Sequence, residues 1–203
     1  GLVGSEMCIR DRSISLQILI RDSFNVTDNL PETKKLIKSG AIMVDKRKRT
    51  DIKYPVGFMD VIEMPSIKKY YRIGLNSKGL YPEEIKEEES SKKLCILKGK
   101  KAIKGGKFQI NLHDGRNIII PKNDYKVNDS IVISLPDQKI AKHFKFEKGA
   151  VSLITAGKNR GVIGIIDEIK ERRTMLEKEM DTIKTKDNKT LLVPKKSVMV
   201  GEL

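Results

Sequence analysis

Apolar residues fall along this chain in short runs, each closed by glycine, proline, asparagine or a cluster of charge. Ile14, Leu16, Ile18, Leu19 and Ile20 supply a buried face for a helix over residues 13–24. A second helix starts at Pro31, which suits a first turn because its missing N–H has no partner there, and Gly40 ends it where a left-handed residue is cheap. Ala41, Ile42, Met43 and Val44 read as a short buried strand. Asp45 to Arg49 form a charged turn leaving it, and Asp60 to Met64 a strand returning to the same small core. Pro55 and Gly57 break regular structure between them.

Residues 81–91 carry five glutamates behind Pro82, the pattern of a solvated helix with proline in its first turn. Beyond Lys92 the period becomes that of strands, at 94–97, 107–112, 117–120 and 130–135. Lys104-Gly105-Gly106 and Asn128-Asp129 turn the chain, and Asp114-Gly115 reads as a two-residue hairpin. A glycine-punctuated hairpin spans 148–166, and strands near 180–185, 190–193 and 198–200 close the chain. The pattern predicts an α+β multidomain protein: a small α/β module over 13–64, then two small β-barrel domains over 65–143 and 144–203. Residues 1–12, GLVGSEMCIRDR, fit no element and read as foreign sequence.

Composition supports several small cores, because 38% hydrophobic residues, 33% charged residues and no tryptophan leave little for one large interior. Charge changes the picture more. A formal +14 would make a lone protein repel itself, so a polyanion is the expected partner. A membrane is a poor second, since the apolar run from Ile14 to Ile20 is broken by Ser15 and Gln17 and is far too short to span. Cys8 and Cys95 have no metal-ligand spacing and point to a reducing cytoplasm.

The charge is densest where the first module turns. Between residues 34 and 53 stand Lys34, Lys35, Lys38, Lys46, Arg47, Lys48, Arg49 and Lys53 against only Asp45 and Asp51. With Leu36 and Ile37 facing a core, the helix would offer its ammonium groups on a rigid support, and the turn would extend the same surface for phosphates. In the last hairpin, Gly157 and Gly161 permit positive φ and bring Lys158, Asn159 and Arg160 to the tip. Arg116, beside Asp114-Gly115, is a further RNA-binding candidate.

Catalytic patterns fail one by one. His113-Asp114 has no nucleophile and sits in a turn, and Gly99 to Lys107 lacks the first glycine and the Ser/Thr of a phosphate loop. The glutamates after Pro82 have nothing apolar around them to shift a pKa. The chain therefore reads as no enzyme, with no cofactor, no metal and no small-molecule substrate.

The segments SGAIMVDK and RTDIKYPVGFMDVIEMP resemble the S4-type RNA-binding module as it occurs in the e-type small-subunit ribosomal protein four family of archaea and eukaryotes. KGGKFQINLHDGRNIII resembles that family's central β domain, and KGAVSLITAGKNRGVIGII a KOW motif, with Ala156 where the family tends to have glycine. The resemblance implies an S4-like α/β module followed by two β-barrel domains, the last SH3-like with the KOW motif, and lacks the family's N-terminal basic arm. It implies a structural constituent of the small ribosomal subunit, archaeal in type, partnered by small-subunit rRNA and neighbouring ribosomal proteins, in the cytoplasm on the ribosome. The competing expectation is a KOW-containing transcription or translation regulator that binds RNA or polymerase.

Overall fold

The computed structural model describes residues 13–24, 26–121, 124–170, 179–185 and 189–201; the foreign-looking segment 1–12 lies outside them. Packing divides the chain into two units, residues 1–93 with 134–139 and residues 94–133 with 140–203.

The first unit opens with β1 (Ser13–Ser15), which pairs antiparallel with β4 (Pro55–Gly57). The expected first helix therefore begins three residues late, as a turn over Leu16–Ile18 running into a π-helical turn over Leu19–Ser23. Ser13, Ile14 and Ser15 alternate, and pairing with β4 gives their backbone partners that a helix start would leave unmet. The basic helix spans Leu30–Lys38. Around it run β2 (Met43–Val44), β3 (Arg47–Lys48), β5 (Val61–Met64), β6 (Lys69–Leu75) and β7 (Leu80–Glu84), in the sheet order β3-β2-β5-β6-β7. Leu16, Leu19, Ile20, Ile37, Ile42, Val44, Val56, Ile62, Met64 and Ile73 form the buried core.

Two elements differ from expectation. Residues 81–84 lie in β7, and only Glu87–Ser90 are helical. Pro82 faces Ile73 on the last strand of the sheet, an edge position where its missing N–H costs no ladder bond. The sheet also runs through Met64 into β6 and β7, so packing does not follow a division at residue 64.

The second unit holds two five-stranded sheets. One contains β8 (Lys92–Ile103), β9 (Lys107–Leu112), β10 (Asn117–Ile120), β11 (Ser130–Ser134) and β12 (Ile140–Phe144), in the order β10-β9-β8-β11-β12, with Lys92, Lys93 and Ser134 belonging to the first unit. The other contains β13 (Val151–Ile154), β14 (Ile163–Lys170), β15 (Met180–Thr185), β16 (Thr190–Pro194) and β17 (Val198–Val200), in the order β16-β15-β14-β13-β17. The Val200 N–H donates to Ser130 Oγ at 3.2 Å and Lys98 Nζ to the Lys196 carbonyl at 3.1 Å, which ties the sheets into one unit across residue 143. The hairpin between β9 and β10 is longer than a two-residue turn: the Leu112 N–H donates to the Arg116 carbonyl, the Gly115 N–H to the Leu112 carbonyl, and Gly115 has φ +84°.

Ile154, Ile166, Ile183, Val193, Val198 and Val200 form the core of the last sheet. Gly164 sits against β15 so closely that a β-carbon would stand 2.5 Å from the Lys184 carbonyl oxygen and 2.6 Å from Ile183 Cγ2. Gly164→Ala is expected to destabilise this unit by about 1–3 kcal/mol, because a backbone atom cannot rotate away; denaturant unfolding measures it.

Asp181, two residues from Ile183 and so on the same side of β15, is fully buried, and neither carboxylate oxygen has a hydrogen-bond partner among the described residues. Burial pushes its pKa up to about 6, Glu179 adds to the rise and Lys195 opposes it. The folded state therefore binds a proton that the unfolded state releases near pH 4. Stability falls as pH rises from about 4 to about 6, and the loss persists above. Asp181→Asn is expected to stabilise the unit at pH 7 by about 1–3 kcal/mol and to flatten the pH dependence in that window. Unfolding midpoints at pH 4.5 and pH 7 check both the gain and its sign.

Candidate nucleic-acid interface

The helix Leu30–Lys38 buries Thr33 and Ile37 and exposes Lys34, Lys35 and Lys38. Thr33 Oγ1 donates to the Asn29 carbonyl at 2.9 Å and lies 2.7 Å from Thr27 Oγ1, which secures the first turn without a side-chain cap at Asn29. Gly40 closes the other end at φ +73°, and the stem of Lys48 passes 3.8 Å from where its β-carbon would stand. That contact brings the β2–β3 hairpin beside the basic end of the helix.

The hairpin is tighter than a loop. Asp45 and Lys46 take φ values of +52° and +62°, the two positive angles of a type I′ turn, and Arg47–Lys48 return as β3 on the sheet edge with both side chains exposed. Arg49 is half-buried with its guanidinium 4.3 Å from the centre of the Tyr54 ring, and Lys53 is exposed. Tyr54 packs against the buried core and holds Arg49 over its ring.

One predicted contact residue is occupied internally. Lys46 Nζ lies 2.8 Å from Glu63 Oε1 and donates to Ser90 Oγ at 2.9 Å, so its charge is used within the unit. Beneath it, Lys93 is 1% exposed and bridges Asp45 Oδ2 at 2.7 Å and Asp60 Oδ1 at 2.6 Å. Asp45 Oδ1 accepts the Val61 N–H, and Asp60 Oδ2 accepts the Gly57 N–H. Burial raises the pKa of Asp60, Lys93 pulls it down and Asp45 pushes it up. This buried cation anchors the turn that carries the exposed ones. Sequence reasoning missed Lys93; its one trace was a lysine directly before the apolar run Leu94 to Leu97.

In the second unit the candidates divide. Arg116 is half-buried, with Nε 3.3 Å from Asp114 Oδ2. At the β13–β14 tip, Gly157 and Gly161 do take positive φ, +92° and +83°, and Lys158 is exposed, while Asn159 and Arg160 are half-covered by the turn. The exposed Lys101, Lys104 and Lys107 line the β8–β9 hairpin.

Residues 30–62 match the family model of the S4 domain, and residues 67–140 match that of the ribosomal family S4e. The small ribosomal subunit protein eS4 of Methanothermobacter thermautotrophicus is 39% identical over 191 residues, covering 94% of this chain and 78% of that relative. The chain belongs to the ribosomal S4e family. The eS4 protein of Ignicoccus hospitalis is 42% identical over 169 residues, covering 78% of this chain and 66% of its own length. The crystal structure of the 30S ribosomal protein S4e from Thermoplasma acidophilum superposes with a TM-score of 0.79 at 29% identity, over 94% of this chain and 95% of that one. These S4e relatives do not favour the regulator alternative. The S4 match ends at residue 62, yet Lys93, which anchors its basic turn, comes from the S4e segment.

Proposed function

We propose that this S4e chain holds rRNA in place within the small ribosomal subunit, through cations set on two folded units. As a member of its family it is a structural constituent of that subunit. The observation that carries the finer reading is that the exposed Lys34, Lys35 and Lys38 share one helix, whose end meets the anchored hairpin bearing the exposed Arg47 and Lys48, with Lys53 exposed further along the chain. Such a surface meets phosphates with little ordering cost, and A-form RNA is recognised chiefly by shape and backbone. Lys158 and the β8–β9 lysines would reach further rRNA segments, each added contact raising the effective concentration of the rest. The work is positioning, not chemistry, and its place is the cytoplasmic ribosome with rRNA and neighbouring ribosomal proteins. No helix among the described residues is long and apolar enough to cross a membrane.

Sedimentation of a cell extract at low and then high salt tests this. The chain is expected to travel with the small subunit until salt strips several phosphate contacts together. Migration as free protein, or with polymerase, at low salt would reject it.

A further inference from the structure

The outward face of the last sheet carries aliphatic residues beyond the point where the protein covers them. Met199, Leu153 and Ile163 form one cross-strand row, and their exposure climbs from 1% through 7% to 48%. In the next row Val151 faces Ile165, at 36% and 51% exposed, and Lys184 continues it. With Lys148 and Asp167 at the rim, Val151, Ile163, Ile165 and Lys184 line an open hollow of about 520 Å³. A sheet face turned to water alternates polar side chains outward, whereas grouped β-branched aliphatics there mark a surface that is covered in use.

We propose that this hollow docks a second protein, through a segment that seats aliphatic side chains on Val151, Ile163 and Ile165 and directs a carboxylate to Lys148. The proposal rests on the ribosomal reading above, which places other proteins within reach. The lining is mainly aliphatic, its carboxylate Asp167 would repel a phosphate, and Lys184 is paired with that carboxylate, so an RNA backbone is the poorer occupant. Of the two rim lysines, Lys184 is already held by Asp167 at 3.1 Å. Lys148 is exposed and enters no ion pair among the described residues, which sets the sign of the partner's charge.

Site-specific cross-linking distinguishes the cases. Benzoylphenylalanine is placed at position 165, and separately at position 158, of the full chain, and purified small subunits are irradiated. Position 165 is expected to join a protein of the subunit at a segment with aliphatic residues beside an acidic one, while position 158 joins rRNA. An rRNA adduct at 165, or none at 165 while 158 reacts, overturns the docking proposal. No rRNA adduct at 158 overturns the underlying reading and the proposal with it. Ile165→Asp is expected to lower the occupancy of the cross-linked neighbour about tenfold, by setting a charge against an apolar contact, and Lys148→Glu to lower it less. Unchanged occupancy in both variants also overturns it.

Discussion

Lys93→Met is expected to destabilise the first unit by about 3–5 kcal/mol, the cost of stranding buried charge when one partner of an internal ion pair is removed. The ammonium is 1% exposed, and its two carboxylate partners are 6% and 9% exposed, so water cannot replace it. Methionine fills most of the stem's volume, which confines the effect to charge. Asp45 and Asp60 would then face each other without a cation, and one of them would hold its proton well above the usual carboxylate range. Carboxyls raised in the folded state bind protons that the unfolded state releases, so the variant's deficit should shrink as pH falls towards 4 and be full at pH 7. Adding Asp60→Asn to Lys93→Met should recover part of the loss. Urea unfolding at the two pH values, with and without the second substitution, measures all three. A loss below 1 kcal/mol at pH 7 would mean that the triad does not anchor the turn.

The second large effect is on binding. Lys38→Ala, Arg47→Ala and Lys48→Ala together should weaken association with small-subunit rRNA by about 10²-fold or more at moderate salt. They should also reduce the slope of log affinity against log salt by about 2–3, since up to three phosphate contacts vanish. All three side chains are exposed and far from the buried triad in role, so the unfolding midpoint should hardly move. Lys46→Ala should behave in the opposite way. Its ammonium is held by Glu63, itself 3% exposed, so stability should fall while the salt slope stays near that of the unaltered protein. Filter binding across a salt series, alongside unfolding, separates the two classes.

Much of this was legible beforehand because the signals are local. Pro31 and Gly40 bracket the basic helix, with glycine at the positive φ its place demands, and Gly157 and Gly161 bend the hairpin tip as expected. What misled were residues whose local preference is overruled by a neighbour distant in sequence. Ser13 to Ser15 are drawn into a strand by residues 55–57, and Pro82 with its glutamates is held at a sheet edge by β6. Spacing also cannot tell a cation that meets solvent from one that meets a carboxylate. Lys46 and Lys48 look alike in the sequence, yet one is bound to Glu63 and the other is exposed.

Composition, period and punctuation by themselves determined that the chain is basic, that it pairs a small helical module with β structure, and which loops carry the charge. The S4e likeness was readable in the same residues. Only the tertiary structure decided which lysines among the described residues remain exposed and unpaired, because burial and ion pairing depend on which side chains the folded sheets bring within about 4 Å. It alone showed Lys93 beneath the basic turn, Asp181 buried within a barrel core, and an aliphatic row running out from under its cover. Each is a relation between strands far apart in sequence, and such relations exist only once the chain has closed on itself.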